Sequence, residues 1–194
     1  VVEVLNESEG LVGYELKISC PNVKSGGIMY GSDPGATREV VEAVKLRARR
    51  PVLVKLSPNV ADITQLAQAA EDGGADALSL VNTLTGMSVD VENFCPRLGN
   101  ITGGLSGPAI KPVALRMVYE VVQTVGIPVI AIGGIRTAED ALEYLIVGAK
   151  AVQVGTANFV DPQAPLKVIQ GLSSYCRRKG FSSINSVIGR LRAD

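Results

Sequence analysis

The chain has 194 residues, 19 basic and 19 acidic, with 46% hydrophobic and 20% charged residues. This composition excludes intrinsic disorder, and a formal net charge of zero argues against a nucleic-acid or anionic-membrane surface. Histidine is absent and the three cysteines stand at 20, 95 and 176, which removes His-based triads, His-ligated zinc and a disulfide framework.

Val1-Val2-Glu3-Val4-Leu5 has helical apolar spacing without an N-cap and reads as the end of a helix begun upstream. Short apolar runs then alternate with longer helical patterns. Strands are predicted over 14–19, 52–56, 77–82, 129–132 and 151–154. Helices are predicted over 37–49, 62–72, 109–125, 138–147 and 164–178, with Asp62 and Thr137 as N-caps and Gly73, Gly74 and Gly148 as stops. No linker divides them, so residues 1–194 are expected to form a single domain. The longest apolar stretch, around 127–132, is far short of a membrane span, and no signal peptide is visible. A cytoplasmic protein is expected.

Five strand–helix units imply a parallel sheet, open or rolled. Strands of open doubly wound sheets are usually apolar on both faces. Here Glu15, Lys17 and Ser19 alternate with Tyr14, Leu16 and Ile18, and Lys55 interrupts Val52-Leu53-Val54-Lys55-Leu56 near its end. Charge near strand ends fits a barrel whose upper interior is a reaction site. The fold class predicted is α/β, a partial (β/α)₈ TIM barrel with about five of eight βα units.

Glycine turns follow the last two strands, at Gly133-Gly134 and Gly155-Thr156, where barrels commonly hold phosphate on backbone N–H groups. The alternative is two tight turns without a ligand. The stretch from Thr83 to Gly107 shows no convincing element and is too long for an idle loop. Cys20 ends the first strand, either as a tunable thiol base or as a small buried hydrophobe. Lys55 is expensive in mid-strand unless paired; it serves a flavin ring or forms an ion pair with Glu15 or Asp76. Cys95 and Cys176 are read as structural.

Several stretches carry a resemblance. They are Glu15-Leu16-Lys17-Ile18-Ser19-Cys20-Pro21-Asn22-Val23, Val54-Lys55-Leu56-Ser57-Pro58-Asn59-Val60, Val81-Asn82-Thr83-Leu84, Gly103-Gly104-Leu105-Ser106-Gly107-Pro108-Ala109-Ile110-Lys111-Pro112 and Val152-Gln153-Val154-Gly155-Thr156-Ala157-Asn158-Phe159. In order along nearly the whole chain, they resemble the class 1B dihydroorotate dehydrogenases, the FMN-containing catalytic subunits of pyrimidine biosynthesis. The likeness covers the carboxyl-terminal two-thirds of such a subunit, with about three βα units absent.

The resemblance implies that Cys20 is the base removing the C5 proton of dihydroorotate while hydride leaves C6 for FMN. It implies that Asn22, Asn82 and Thr83 bind the pyrimidine and its carboxylate. Lys55 and the Val81 backbone would face the flavin, and Gly107, Gly133, Gly134, Gly155 and Thr156 would wrap its ribityl phosphate. No metal is implied. Lys17 occupies the position of a family Asn that contacts flavin and substrate, and Phe94-Cys95-Pro96 replaces a segment usually basic before its proline.

The implied product is orotate. The implied partner is an electron-transfer subunit with FAD and a [2Fe–2S] cluster that passes electrons to NAD, joined to a homodimer of catalytic subunits in a heterotetramer. Alone, the chain is expected to be inactive. The alternatives are another flavin-dependent pyrimidine reductase or dehydrogenase domain, and a truncated non-catalytic binding fragment.

Overall fold

A computed structural model describes residues 1–18 and 30–192. Helix α1 (Val2–Asn6) lacks a side-chain cap at its start, as its sequence suggested. Arg50 holds its far end, donating to the carbonyls of Leu5, Asn6 and Ser8 and to the Tyr14 hydroxyl. The chain then alternates strand and helix: β1 (Tyr14–Lys17), α2 (Pro34–Lys45), β2 (Val52–Lys55), α3 (Ile63–Asp72) and β3 (Ala77–Leu80).

The stretch read as lacking an element needs correction. It forms a ribbon in which β4 (Leu84–Met87) pairs antiparallel with β7 (Thr102–Leu105), and β5 (Val89–Asp90) pairs with β6 (Cys95–Pro96) at its far end. Leu-Thr-Gly-Met and Thr-Gly-Gly-Leu have little apolar alternation, because backbone pairing rather than core burial defines them. Cys95 lies exposed on this ribbon, so it fills no core. Beyond the ribbon come α4 (Lys111–Thr124), β8 (Val129–Ile132), α5 (Ala138–Ile146), β9 (Ala151–Gln153), α6 (Ala157–Val160) and α7 (Ala164–Lys179).

The helix boundaries follow local chemistry. Helix α2 starts three residues before its predicted start because Asp33 accepts from the Ala36 N–H and Pro34 presets the first turn. Asp62 caps α3 through the Thr64 N–H. Thr137 and Asp140 exchange side-chain and backbone bonds in a capping box at α5. Gly180, at φ +71°, ends α7.

Five parallel strands form one sheet in the order β1-β2-β3-β8-β9. Spaced about 4.8 Å apart, the outer strands of a flat sheet would lie about 19 Å from each other. Yet Gln153 Nε2 of β9 reaches Glu15 Oε1 of β1 at 3.4 Å. The sheet is therefore strongly curled, as a barrel wall is.

The curl separates two environments. Val52, Val54, Val129 and Ala131 point to the helices and are essentially dry. There they join Val41, Leu66, Val118 and Val121 in the core. Their strand neighbours Leu53, Lys55, Ile130 and Ile132 take the concave face and are less buried. Leu78 lies in the central strand and is fully buried. Leu78→Ala should lower unfolding free energy by about 2–5 kcal/mol in a urea titration, the usual cost of such a cavity.

Candidate active site

The concave face gathers its polar residues around one carboxylate. Glu15 Oε1 accepts from the buried Ser79 hydroxyl at 2.6 Å and from Gln153, while Oε2 lies 4.0 Å from Lys55 Nζ. Of the two partners foreseen for Lys55, Glu15 is the one found. Asp76 instead pairs with Lys45 at 2.7 Å. The Lys55 side chain is only 19% exposed, and the Glu15 carboxylate 4.0 Å away offsets part of its desolvation. Lys17 is the register partner of Lys55, which puts two cationic residues side by side near the carboxyl ends of β1 and β2.

Above this cluster opens a cavity of about 590 Å³, within the range of small-molecule sites. Lys55, Val81, Asn82, Thr83, Gly107, Gly133, Gly134, Gly155 and Thr156 all line it. Nine positions singled out in the sequence thus meet in one space. Lys17 is not among the lining residues, and Cys20 and Asn22 lie outside the described residues.

Each loop around the cavity is held by short bonds. The Val81 N–H donates to the Ile132 carbonyl and the Asn82 N–H to the Leu56 carbonyl, so this segment is tied to both neighbouring strands. Asn59 Nδ2 donates to the Thr83 carbonyl at 2.9 Å, and Asn59 Oδ1 accepts from the Thr85 N–H at 2.8 Å. Thr156 donates to Ser106 Oγ at 2.8 Å, joining the loop after β9 to the loop after β7. Asn158 Nδ2 caps the Val154 and Gly155 carbonyls.

Glycine is required at the turn after β8. Gly134 has φ +68°, and a Cβ there would lie 2.8 Å from the Gly107 carbonyl oxygen. The two turns are packed against each other and no side chain fits between them. At Gly155 the reverse holds, for a Cβ would meet nothing within 4 Å. Its bare backbone borders open cavity.

Behind these turns Lys111 Nζ donates to Asp140 Oδ1 at 2.6 Å and to Glu143 Oε1 at 2.8 Å. Both carboxylates hold the Lys111 ammonium above its ordinary pKa. Burial, the largest single influence on Asp140, pushes its carboxyl up. Lys111 and the Arg136 and Thr137 N–H groups together outweigh it, and the net shift is downward. Asn59, Ser106 and Arg136 also belong to the site, and sequence reasoning assigned them no role. Asn59 and Ser106 stand inside the motifs that carry the resemblance; Arg136 lies two residues beyond Gly134.

The family model for dihydroorotate dehydrogenase matches residues 2–176. The dihydroorotate dehydrogenase B (NAD(+)) catalytic subunit of Geotalea uraniireducens is 54% identical over 191 residues, 98% of this chain and 63% of that protein. Its counterpart in Maridesulfovibrio salexigens is 56% identical over 190 residues, 97% of this chain and 62% of that protein. The chain thus spans about three-fifths of the length of these curated relatives. A crystal structure of DHODH in complex with ferulenol from Eimeria tenella matches with a TM-score of 0.77. It is 23% identical and the match covers 92% of this chain and 54% of that one, a likeness of fold.

The depressed Asp140 carboxyl has a measurable consequence. A group whose pKa falls on folding adds stability above its unfolded value and loses it as pH drops through its folded value. Stability should therefore decline as pH falls below about 4, the ordinary carboxylate range, and Asp140→Asn should flatten that limb in acid titrations followed by circular dichroism.

Proposed function

The chain belongs to the dihydroorotate dehydrogenase family, and from that premise we propose that it forms the FMN- and substrate-facing part of a class 1B enzyme. The reaction assigned is oxidation of dihydroorotate to orotate, with electrons leaving through a partner subunit that carries FAD and a [2Fe–2S] cluster to NAD. A cytoplasmic location and a homodimer of catalytic subunits within a heterotetramer belong to the same reading. The observation that carries it is the convergence of Lys55, Asn82, Thr83 and the glycine turns on one cavity.

The residues present fit a flavin nucleotide. Gly155 leaves open the space that a side chain would fill, and Gly134 allows two backbone turns to meet at the same end. Arg136 adds a guanidinium to that lining; the Thr156 hydroxyl proton goes to Ser106, so Thr156 contributes through its backbone N–H. These are the donors a phosphate monoester needs, and a neutral overall charge does not oppose them. FMN, when bound, supplies the two-electron acceptor.

Each side chain then has an assignment. Gly107, Gly133, Gly134, Gly155 and Thr156 bind the ribityl phosphate. Lys55, with Glu15 4.0 Å away, sets positive charge where the ring gains electrons. The Val81 N–H is engaged with Ile132, so a backbone contact to the ring falls to its carbonyl. Asn82 and Thr83 orient the pyrimidine, and Asn59 fixes the Thr83 backbone beneath it. Lys17, beside Lys55 in register, adds positive charge toward the substrate carboxylate. Cys20 takes the C5 proton and Asn22 holds the ring, both by family resemblance.

The test uses the chain extended to the length of its relatives. Anaerobic addition of dihydroorotate should bleach the flavin absorbance. Cys20→Ala should keep FMN bound yet slow bleaching by about 10²–10⁴-fold, the range of a positioned base. A colourless extended protein that does not bind added FMN would refute the reading. Unchanged bleaching in the variant would remove Cys20 from its role.

A further inference from the structure

Among the described residues Tyr144 is the largest fully buried side chain, and it sits behind the glycine turn instead of in the cavity. Its hydroxyl donates to the Gly133 carbonyl at 2.7 Å, with the Lys111 carbonyl farther off at 3.4 Å. Burial pushes the phenol well above its ordinary pKa, and Glu143 and Asp140 add to the rise, so it remains a proton donor. The turn is pressed against this side of the core. A Cβ on Gly133 would lie 2.5 Å from Ala114 Cβ and 3.1 Å from the Tyr144 oxygen.

Peptide geometry turns this contact outward. The Gly133–Gly134 bond is trans, so its C=O and N–H point in opposite directions. The carbonyl is drawn inward to Tyr144. The Gly134 N–H is then sent the other way, toward the cavity that Gly133 and Gly134 line. A glycine pair has the greatest backbone freedom of any dipeptide, and without an anchor this plane could rotate.

We propose that Tyr144 is a positioning residue for anion binding: its hydroxyl fixes the Gly133–Gly134 peptide plane so that the Gly134 N–H meets a phosphate oxygen. The inference rests on the reading of this turn as the flavin phosphate site. The Lys111–Asp140 pair assists from the next layer. Asp140 Oδ2 accepts from the N–H groups of Arg136 and Thr137, which holds the outgoing side of the turn. Lys111 leads α4, just beyond the Gly107 turn, and so joins the two turns from behind.

The experiment compares ligands with and without the phosphate. FMN, riboflavin and inorganic phosphate are titrated into the chain extended to the length of its relatives, unsubstituted and as Tyr144→Phe, followed by backbone amide resonances in two-dimensional NMR. In the unsubstituted chain, FMN and inorganic phosphate should both shift the Gly134 amide, and riboflavin should not. Tyr144→Phe should weaken FMN about three- to tenfold, the effect of one lost hydrogen bond, and leave riboflavin unchanged. A purely structural role would weaken both flavins alike or neither, and either result overturns the inference. If the unsubstituted chain shows no Gly134 shift with FMN or phosphate, the phosphate site is itself misassigned and the inference falls with it. Should Tyr144→Phe not fold, the Gly134 shift and its absence with riboflavin still decide whether this N–H is the donor.

Discussion

A five-stranded parallel sheet covered by helices on one face must do something with the other. Here it curls, and the 3.4 Å contact between Gln153 and Glu15 measures how far. Everything at the site depends on that curvature. It turns five separate strand ends toward a common space, and it converts the alternation along each strand into a dry convex side and a polar concave side. The convex side carries the apolar burial that stabilises the fold. The concave side holds Ser79, Lys55 and Glu15, which would be costly singly but satisfy one another as a group. One carboxylate serves three strands besides its own, so the charge distribution around Lys55 is set by the barrel geometry itself.

Loops at the carboxyl ends are fastened to each other as well as to the sheet. Thr156 reaches Ser106, Asn59 reaches both Thr83 and Thr85, and the Gly107 and Gly134 backbones leave no room for a Cβ between them. Each bond is small, about 1 kcal/mol net for a typical pair. Their effect is geometric: they remove loop motions that a ligand would otherwise have to arrest on binding. Among the described residues no buried side-chain polar atom lacks a partner, so this polar layer stores no unsatisfied group.

Much of this was legible in the residue pattern. The strand–helix alternation, the caps at Asp62 and Thr137 and the turns at Gly133–Gly134 and Gly155 are local signals, and each lies where its neighbours dictate. Lys55 was conspicuous because charge inside an apolar strand needs a reason. Three features were not legible. The ribbon after β3 is built from backbone pairing among glycines and threonines, which leaves no apolar period to read. Asn59 acts on Thr83 and Thr85 from 24 and 26 residues away. Tyr144 reads as one more apolar residue on the inner face of α5; only the fold brings its hydroxyl to Gly133.

The strand order gives the cavity two unlike ends, one after β2 and β3 and one after β8 and β9, and that asymmetry constrains the pose of any elongated ligand. At one end the lining is mostly backbone, with glycines at 107, 133, 134 and 155, and the exposed Arg136 adds charge. Fixed amide dipoles suit a compact anion with several oxygens, since they close on it without side-chain entropy. At the other end stand Lys55, Asn82 and Thr83, whose directional groups suit a flat heterocycle and a carboxylate. A ligand with a phosphate at one end and an electron-accepting ring at the other satisfies both ends in one orientation only. Reversal would put the phosphate beside Lys55 but leave the ring against glycine backbone with nothing to match its polar edge. On the flavin reading, polarity along the cavity and not its volume decides which face of the barrel the ring meets.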